Sequence, residues 1–174
     1  MKSSIKKITL TGILTALALL AFMLESLLPP IIIPGAKLGL SNIFILLALI
    51  FVGTPYAFIA LVLKALLGSI FSGNMSAIIY SLPAGLISLS IEIILFYFVK
   101  ELSIICVSIT GAVINLAMQN AVFCLITGGA EYLIYLPYLA LIGSACGLVV
   151  GLAVYYLAKH LPLGSFNMYS EEKF

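Results

Sequence analysis

The chain has 174 residues, of which 64% are hydrophobic and 8% charged, with a net charge of +2. Soluble domains run about 45–50% apolar and about 25% charged, so this composition excludes an ordinary water-soluble domain, a disordered chain and a disulfide scaffold. Eight Lys and six Glu carry all the charge: without Asp there is no Asp-rich Mg²⁺–pyrophosphate motif or Walker B carboxylate, and without Arg no bidentate phosphate clamp.

A bilayer core needs about 20 apolar residues per helix. Six stretches read as spans, at positions 8–28, 38–53, 55–72, 76–99, 103–127 and 133–158. The first is long for a signal-peptide core and has no clear small-x-small cleavage site before Pro29, so it reads as a retained helix. It carries Gly12 and Ala16 at four-residue spacing and Glu25 near its outer end. A Pro- and Gly-containing turn from Pro29 to Gly35 leads to a short second span opened by Ser41 and Asn42. Gly53-Thr54-Pro55 starts the third span, with the proline in the first turn, where its missing N–H costs nothing. Lys64 stands mid-span. Asn74 and Ser76 turn into the fourth span, which holds Tyr80, Pro83-Ala84-Gly85 and Glu92. The fifth holds Asn115, Gln119 and Asn120. Tyr132, Tyr135 and Tyr138 gather at the start of the sixth, followed by Gly143, Gly147 and Gly151.

Six spans return both termini to one side. Lys2, Lys6, Lys7, Lys100, Lys159 and Lys173 fall on that side and only Lys37 on the other, which predicts cytoplasmic termini. The fold class is therefore an all-α integral membrane protein, six transmembrane helices in one bundle. Cys106, Cys124 and Cys146 lack metal-ligand spacing and read as small buried hydrophobes. The small, scattered charge gives no nucleic-acid footprint.

A charge at mid-bilayer costs about 2.5–3.5 kcal/mol on insertion scales, which makes Lys64, Glu25 and Glu92 functional candidates. At about 1.5 Å per residue, Lys64 and Glu92 differ in depth by roughly 12 Å, so Lys64 is expected to meet Glu25 or a substrate anion instead. The bland alternative is a Lys64 that snorkels or bonds backbone carbonyls. Asn115 and Gln119, four apart, share a helix face and serve either a ligand or interhelical hydrogen bonds. Lys64, Asn115, Gln119 and Tyr80 fall at similar depth. With Asn42, Asn74 and Glu25 they outline an outward-opening polar pocket suited to an anionic or hydrogen-bonding, partly aromatic small molecule. The proline in span 4 frees a carbonyl and suits a cavity border. The glycine stripe of span 6 permits close helix approach, within this chain or to a partner.

Three segments carry a resemblance: Pro34-Gly35-Ala36-Lys37-Leu38-Gly39-Leu40-Ser41-Asn42-Ile43, Lys64-Ala65-Leu66-Leu67-Gly68-Ser69-Ile70-Phe71-Ser72-Gly73, and Tyr80-Ser81-Leu82-Pro83-Ala84-Gly85. They resemble the family catalogued both as heptaprenyl diphosphate synthase component I and as the Gx transporter family. That family is similar to substrate-binding S components of energy-coupling factor (ECF) transporters, and the likeness runs over about positions 8 to 155. It implies a six-helix membrane protein that takes a small vitamin- or cofactor-like molecule from outside, with residues 29–37 as a lid. It also implies a docking face for a separate transmembrane coupling subunit, and Gly12 and Ala16 occupy that spacing. Span 5 of the family often reads Gly-Ala-x-x-His-Asn, then Gln; Gly111, Ala112 and Gln119 match, whereas Asn115 and Leu116 stand at the His and Asn positions. Some relatives resemble parts of flavin- or quinone-linked electron-transfer systems.

No catalytic triad, P-loop or prenyltransferase motif is present, and His160, the one His, sits at a helix end. The reading is a non-enzymatic substrate-binding membrane subunit without a bound cofactor, embedded in the lipid bilayer, with ATPases on other polypeptides. The alternative is a non-catalytic anchor or assembly subunit of a flavin- or quinone-linked electron-transfer or isoprenoid system. A solitary secondary transporter is less favoured, since no inverted repeat is legible.

Overall fold

A computed structural model describes residues 2–27, 39–99 and 101–160. The described residues form six α-helices and one 3₁₀ turn: α1 (Lys2–Ser26), α2 (Asn42–Phe51), α3 (Thr54–Phe71), α4 (Ala77–Phe98), α5 (Ile104–Thr127), the turn Ala130–Tyr135, and α6 (Leu136–His160). Five of these regions are long and apolar enough to cross a membrane, and α2 is not. Each long helix leaves large apolar side chains bare, among them Leu24, Ile59, Ile94, Leu125 and Leu141. Exposed apolar surface on this scale has hydrocarbon as its natural solvent, and the chain is a multi-pass membrane protein.

In α1 one stripe faces inward: Leu14, Ala18 and Phe22, four apart, are buried. Thr11 and Thr15 share that side, and their hydroxyls donate to the carbonyls of Lys7 (2.8 Å) and Thr11 (2.7 Å). Bonding back into the helix leaves no bare hydroxyl where water is scarce.

The short α2 departs from the six-span expectation. Its 10 residues reach about 15 Å, half of a hydrocarbon core of about 30 Å. Residues from Ile45 to Val52 are buried on every side, with α1, α3 and α6 packed around them. The second span is shorter than its apolar run because Gly39 takes φ +87° and breaks the helical path before Ser41. Asn42 lies level with Lys64 of α3, and Gly53, at φ +114°, reverses the chain straight into Thr54. So α2 crosses only the half of the bundle on the near side of Lys64. Thr54 Oγ1 and Tyr97 OH, 3.0 Å apart, join that reversal to the last turn of α4.

The helices after α2 alternate in direction. Tyr80 near the start of α4 meets Phe123 near the end of α5. In α6 the glycines descend along α5 in reverse order: Gly143 faces Val113, Gly147 faces Ile109 and Gly151 faces Ile105. Those contacts are to the α5 backbone itself, and Ser108 Oγ donates to the Gly147 carbonyl at 2.9 Å. The span 6 stripe thus packs within the chain, a small-residue helix crossing. In α1 and α3, Phe22 lies on Gly68, while Ile8 and Tyr56 line one groove nearer their starts, so these two helices run parallel. Lys6, Lys7 and Lys159 consequently share one end of the bundle. Near that end, the Lys159 ammonium lies 5.9 Å from the Tyr155 ring centre and His160 Nδ1 is 2.9 Å from the Tyr156 carbonyl.

Gly147 has the tightest backbone approach of the stripe: an added Cβ would stand 2.5 Å from Ile109 Cα. Gly147→Ala is expected to cost about 1–3 kcal/mol, the usual penalty of overpacking, read as a lowered melting temperature in detergent. Gly12→Ala, where an added methyl meets nothing within 4 Å, serves as the control and should not lower it.

Candidate functional site

Most of the buried polar side chains singled out from the sequence converge on one small cavity. Phe22 and Glu25 reach it from α1, Gly39, Ser41 and Asn42 from the lead-in to α2, Lys64 from α3, Ser81 and Gly85 from α4, and Asn115 and Gln119 from α5. Its free volume is about 10 Å³, the room that about one water requires. Five chain segments line it.

Lys64 stands at its centre and is 5% exposed. The Nζ donates to Asn42 Oδ1 at 2.9 Å and to Ser41 Oγ at 3.2 Å. Glu25 and, more weakly, Glu92 act on the ammonium through their charge. Glu25 Oε1 accepts the Leu40 backbone N–H at 2.5 Å. Two ionic side chains thus hold the segment Leu40–Asn42: Glu25 takes its amide, and Lys64 donates to its side-chain oxygens. Gly39 is the residue that fits there. A Cβ on it would lie 3.1 Å from Asn42 Nδ2 and 3.8 Å from Asn115 Nδ2.

Glu92 does not line the cavity. It is 4% exposed and lies flat against α5 at Gly111, where any Cβ would collide with its carboxylate. The notch left by Gly111 is what lets a carboxylate fit between α4 and α5. The depth estimate had set Glu92 apart from Lys64; the two do not pair directly, yet their charges still interact.

Of the residues singled out from the sequence, the structure brings together Lys64, Asn42, Glu25, Asn115 and Gln119. It does not bring in Tyr80 or Asn74. Tyr80 turns toward α5 and packs on Phe123, ring centres 6.0 Å apart. Asn74 sits in an exposed turn and accepts from Ser76 Oγ at 2.6 Å. Tyr80 was placed by depth, and the rotation of α4 turns it away from the cavity; Asn74 stays out in the turn before α4. Asn120 is fully buried and donates to the Tyr132 carbonyl at 3.1 Å, tying the 3₁₀ turn to α5. The proposed lid, 29–37, lies outside the described residues. Ser41, Ser81, Gly85 and Phe22 complete the wall. Ser81 and Gly85 flank Pro83, the signal that could have marked them; Phe22 had none.

Gly12 and Ala16 lie elsewhere, in a second and larger space. Below the Phe22–Gly68 contact α1 and α3 part, leaving an apolar groove of about 430 Å³. Gly12, Ala16, Thr15 and Leu19 form one wall, and Tyr56, Ile59, Leu63 and Leu67 the other.

Gly111→Ala is expected to displace Glu92 and cost about 1–3 kcal/mol. Adding Glu92→Ala to it should recover part of that loss, with a coupling of about 0.5–3 kcal/mol in a double-mutant cycle followed by detergent unfolding.

Neither a curated protein nor a solved structure matches the chain. A family described as heptaprenyl diphosphate synthase component I matches residues 14–157. The match takes in the helix bundle from the groove wall of α1 to the glycine stripe of α6, and the chain belongs to the heptaprenyl diphosphate synthase component I family.

Proposed function

We propose that the chain is a substrate-binding membrane subunit, similar to the S component of an ECF importer, and that the cavity around Lys64 is where its cargo sits. One observation carries this reading. An apolar chain gathers a lysine, a glutamate, two asparagines, a glutamine and two serines from every quarter of the bundle onto one point. Each such group is costly in hydrocarbon, and a fold that only needed to pack would replace them with apolar residues at no loss. Convergent polar groups in an otherwise apolar enclosure are the ordinary form of a small-molecule site.

On this reading Asn115, Gln119 and Lys64 hold the polar groups of a small vitamin- or cofactor-like molecule. Binding begins with release of Leu40–Asn42 from Glu25 and Lys64. Residues 29–37 act as the lid on the extracellular side, with both termini cytoplasmic in the cell membrane. The groove at Gly12 and Ala16 receives a helix of a transmembrane coupling subunit, and separate ATPase subunits drive uptake. No step of catalysis is assigned to this chain.

The family description favours a second reading, in which the chain is a non-catalytic membrane component of a heptaprenyl diphosphate synthase. The groove would then seat a synthase partner or its lipid, and no cargo would cross the membrane.

Native mass spectrometry of the protein, gently extracted from its own membrane, separates the two. A retained water-soluble molecule, with coupling and ATPase subunits attached, supports the importer. A chain bearing only lipid or a prenyl-synthase subunit supports the second reading. Lys64→Met should lose the retained molecule while keeping its helix content by circular dichroism; normal retention would remove Lys64 from the site. Gly12→Leu with Ala16→Leu should fill the groove and abolish co-purification of the coupling subunit, leaving ligand retention intact.

A further inference from the structure

Most of the polar groups that line the cavity are used by the fold itself. The Lys64 ammonium donates to Asn42 Oδ1 and Ser41 Oγ, and Glu25 accepts the Leu40 amide. Gln119 also has a partner within the protein. Ser81 on α4 and Asn115 on α5 are different. Both line the cavity, and among the described residues neither side chain makes a hydrogen bond. Asn115 is 7% exposed. A buried amide without a partner forfeits the hydrogen bonds it makes in water, and an apolar side chain of the same size would pack there at no loss. Packing therefore gives no reason for an amide at this position, and recognition does.

The amide of Asn115 looks onto bare backbone. A Cβ on Gly39 would stand 3.8 Å from Asn115 Nδ2 and 3.1 Å from Asn42 Nδ2, so both side chains border the space that glycine leaves. A side-chain amide carries an acceptor oxygen and an NH₂ donor side by side in one plane. Its complement is the same pair reversed, an acceptor next to an N–H, and asparagine reads the edge of a nucleobase through this two-point contact. A phosphate or carboxylate offers acceptors alone and would leave Asn115 Oδ1 facing oxygen. An ammonium offers donors alone and would leave the NH₂ unpaired. In an apolar enclosure either mismatch leaves a buried polar atom unsatisfied. The Ser81 hydroxyl donates or accepts, and so serves whichever atom lies beside the pair. Phe22 adds an apolar ring to the same lining.

We propose that Asn115 sets the specificity of the cavity, and that its ligand presents a neutral carbonyl and N–H side by side, as a carboxamide, lactam or imide does. The inference rests on the ligand-binding reading above and names the class of that ligand. It also sets the cavity against an isoprenoid diphosphate, whose head carries no N–H to meet Asn115 Oδ1.

The test is a melting series of the full chain in detergent with matched probes. Uracil and nicotinamide carry the paired edge. Uracil methylated at both ring nitrogens and N,N-dimethylnicotinamide keep the ring and the carbonyls but lack the N–H. Nicotinate and inorganic phosphate form the anionic arm. The expected result is stabilisation by uracil or nicotinamide, of about 3–6 °C when the probe is present at roughly ten times its dissociation constant. The methylated and anionic probes should give no shift. Asn115→Leu and Asn115→Val bracket the amide in size; both should abolish the shift, and at least one should melt no lower than the parent without probe. Ser81→Ala should shrink the shift. A probe-free melt lowered in both Asn115 variants would make the amide a structural group and overturn the proposal. Equal stabilisation by the methylated probes would overturn the pairing and leave the ligand site standing. Stabilisation by the anionic arm, lost in Lys64→Met, would do the same. If no probe shifts the melt the proposal falls, and the ligand-binding reading is then judged by the native mass spectrum.

Discussion

The structure turns on a lysine buried in the middle of an apolar bundle. An ammonium in hydrocarbon needs hydrogen-bond acceptors and negative charge close at hand, or the helix that carries it does not insert well. Lys64 finds the acceptors in Ser41 and Asn42 and the charge in Glu25 and Glu92. These partners come from α1, from the lead-in to α2 and from α4, so satisfying one side chain draws most of the bundle together. The Leu40 amide completes the circuit by bonding Glu25. The same constraint explains why α2 begins at Asn42, level with Lys64. A second helix continuous from the outer surface would bury its own backbone in hydrogen bonds to itself. It would also leave Lys64 without the side chains that open α2.

That starting point sets the length of α2 and the placing of the core. Residues Ile45–Val52 are buried all round because α2 occupies the axis of the half of the bundle nearer Lys6 and Lys159, where α1, α3 and α6 enclose it. Among the described residues the other half has no central helix, and the cavity lies there. Apolar packing and polar site thus divide the bundle by depth: α2 fills one half, and the side chains around Lys64 fill the other.

The long helices were readable from the sequence. Bare apolar length with turn residues between sets the ends of α3, α4 and α5 within about two residues. The short α2 was not readable, because a fully enclosed helix and a lipid-facing one have the same all-apolar sequence, and only the polar pair at Ser41 and Asn42 hinted at its start. Lys64, Glu25, Asn115 and Gln119 stood out because polar groups in hydrocarbon need a reason. Rotation about the helix axis was invisible for the same cause that made the spans visible: lipid and protein core are both apolar, so no amphipathic face marks the inside. This is why Ser81, and not its neighbour Tyr80, lines the cavity, and why Phe22 passed unremarked among leucines. Glu92 illustrates a further limit. Its depth was readable, but the space for it was made by the absence of a side chain at Gly111, on a helix whose register against α4 no local pattern encodes.

Two helices belong to both spaces in the molecule. α1 gives Phe22 and Glu25 to the cavity and Gly12, Thr15 and Ala16 to the groove; α3 gives Lys64 to the first and Leu63 and Leu67 to the second. They touch at Phe22 on Gly68, between the two spaces, through a ring face set against a bare backbone. A contact of that kind has no slack, since an interior at close packing responds to displacement by moving whole helices and not by compressing. A ligand larger than a water that occupies the cavity must displace part of its lining, the Leu40–Asn42 segment and the Phe22 ring among it, because the free volume is about 10 Å³. If it moves the ring, α1 must shift on α3 and the groove must change width. Cavity and groove therefore share a mechanical element. Occupancy of one can alter the affinity of the other only to the extent that this element has two arrangements, and the linkage then runs equally in both directions.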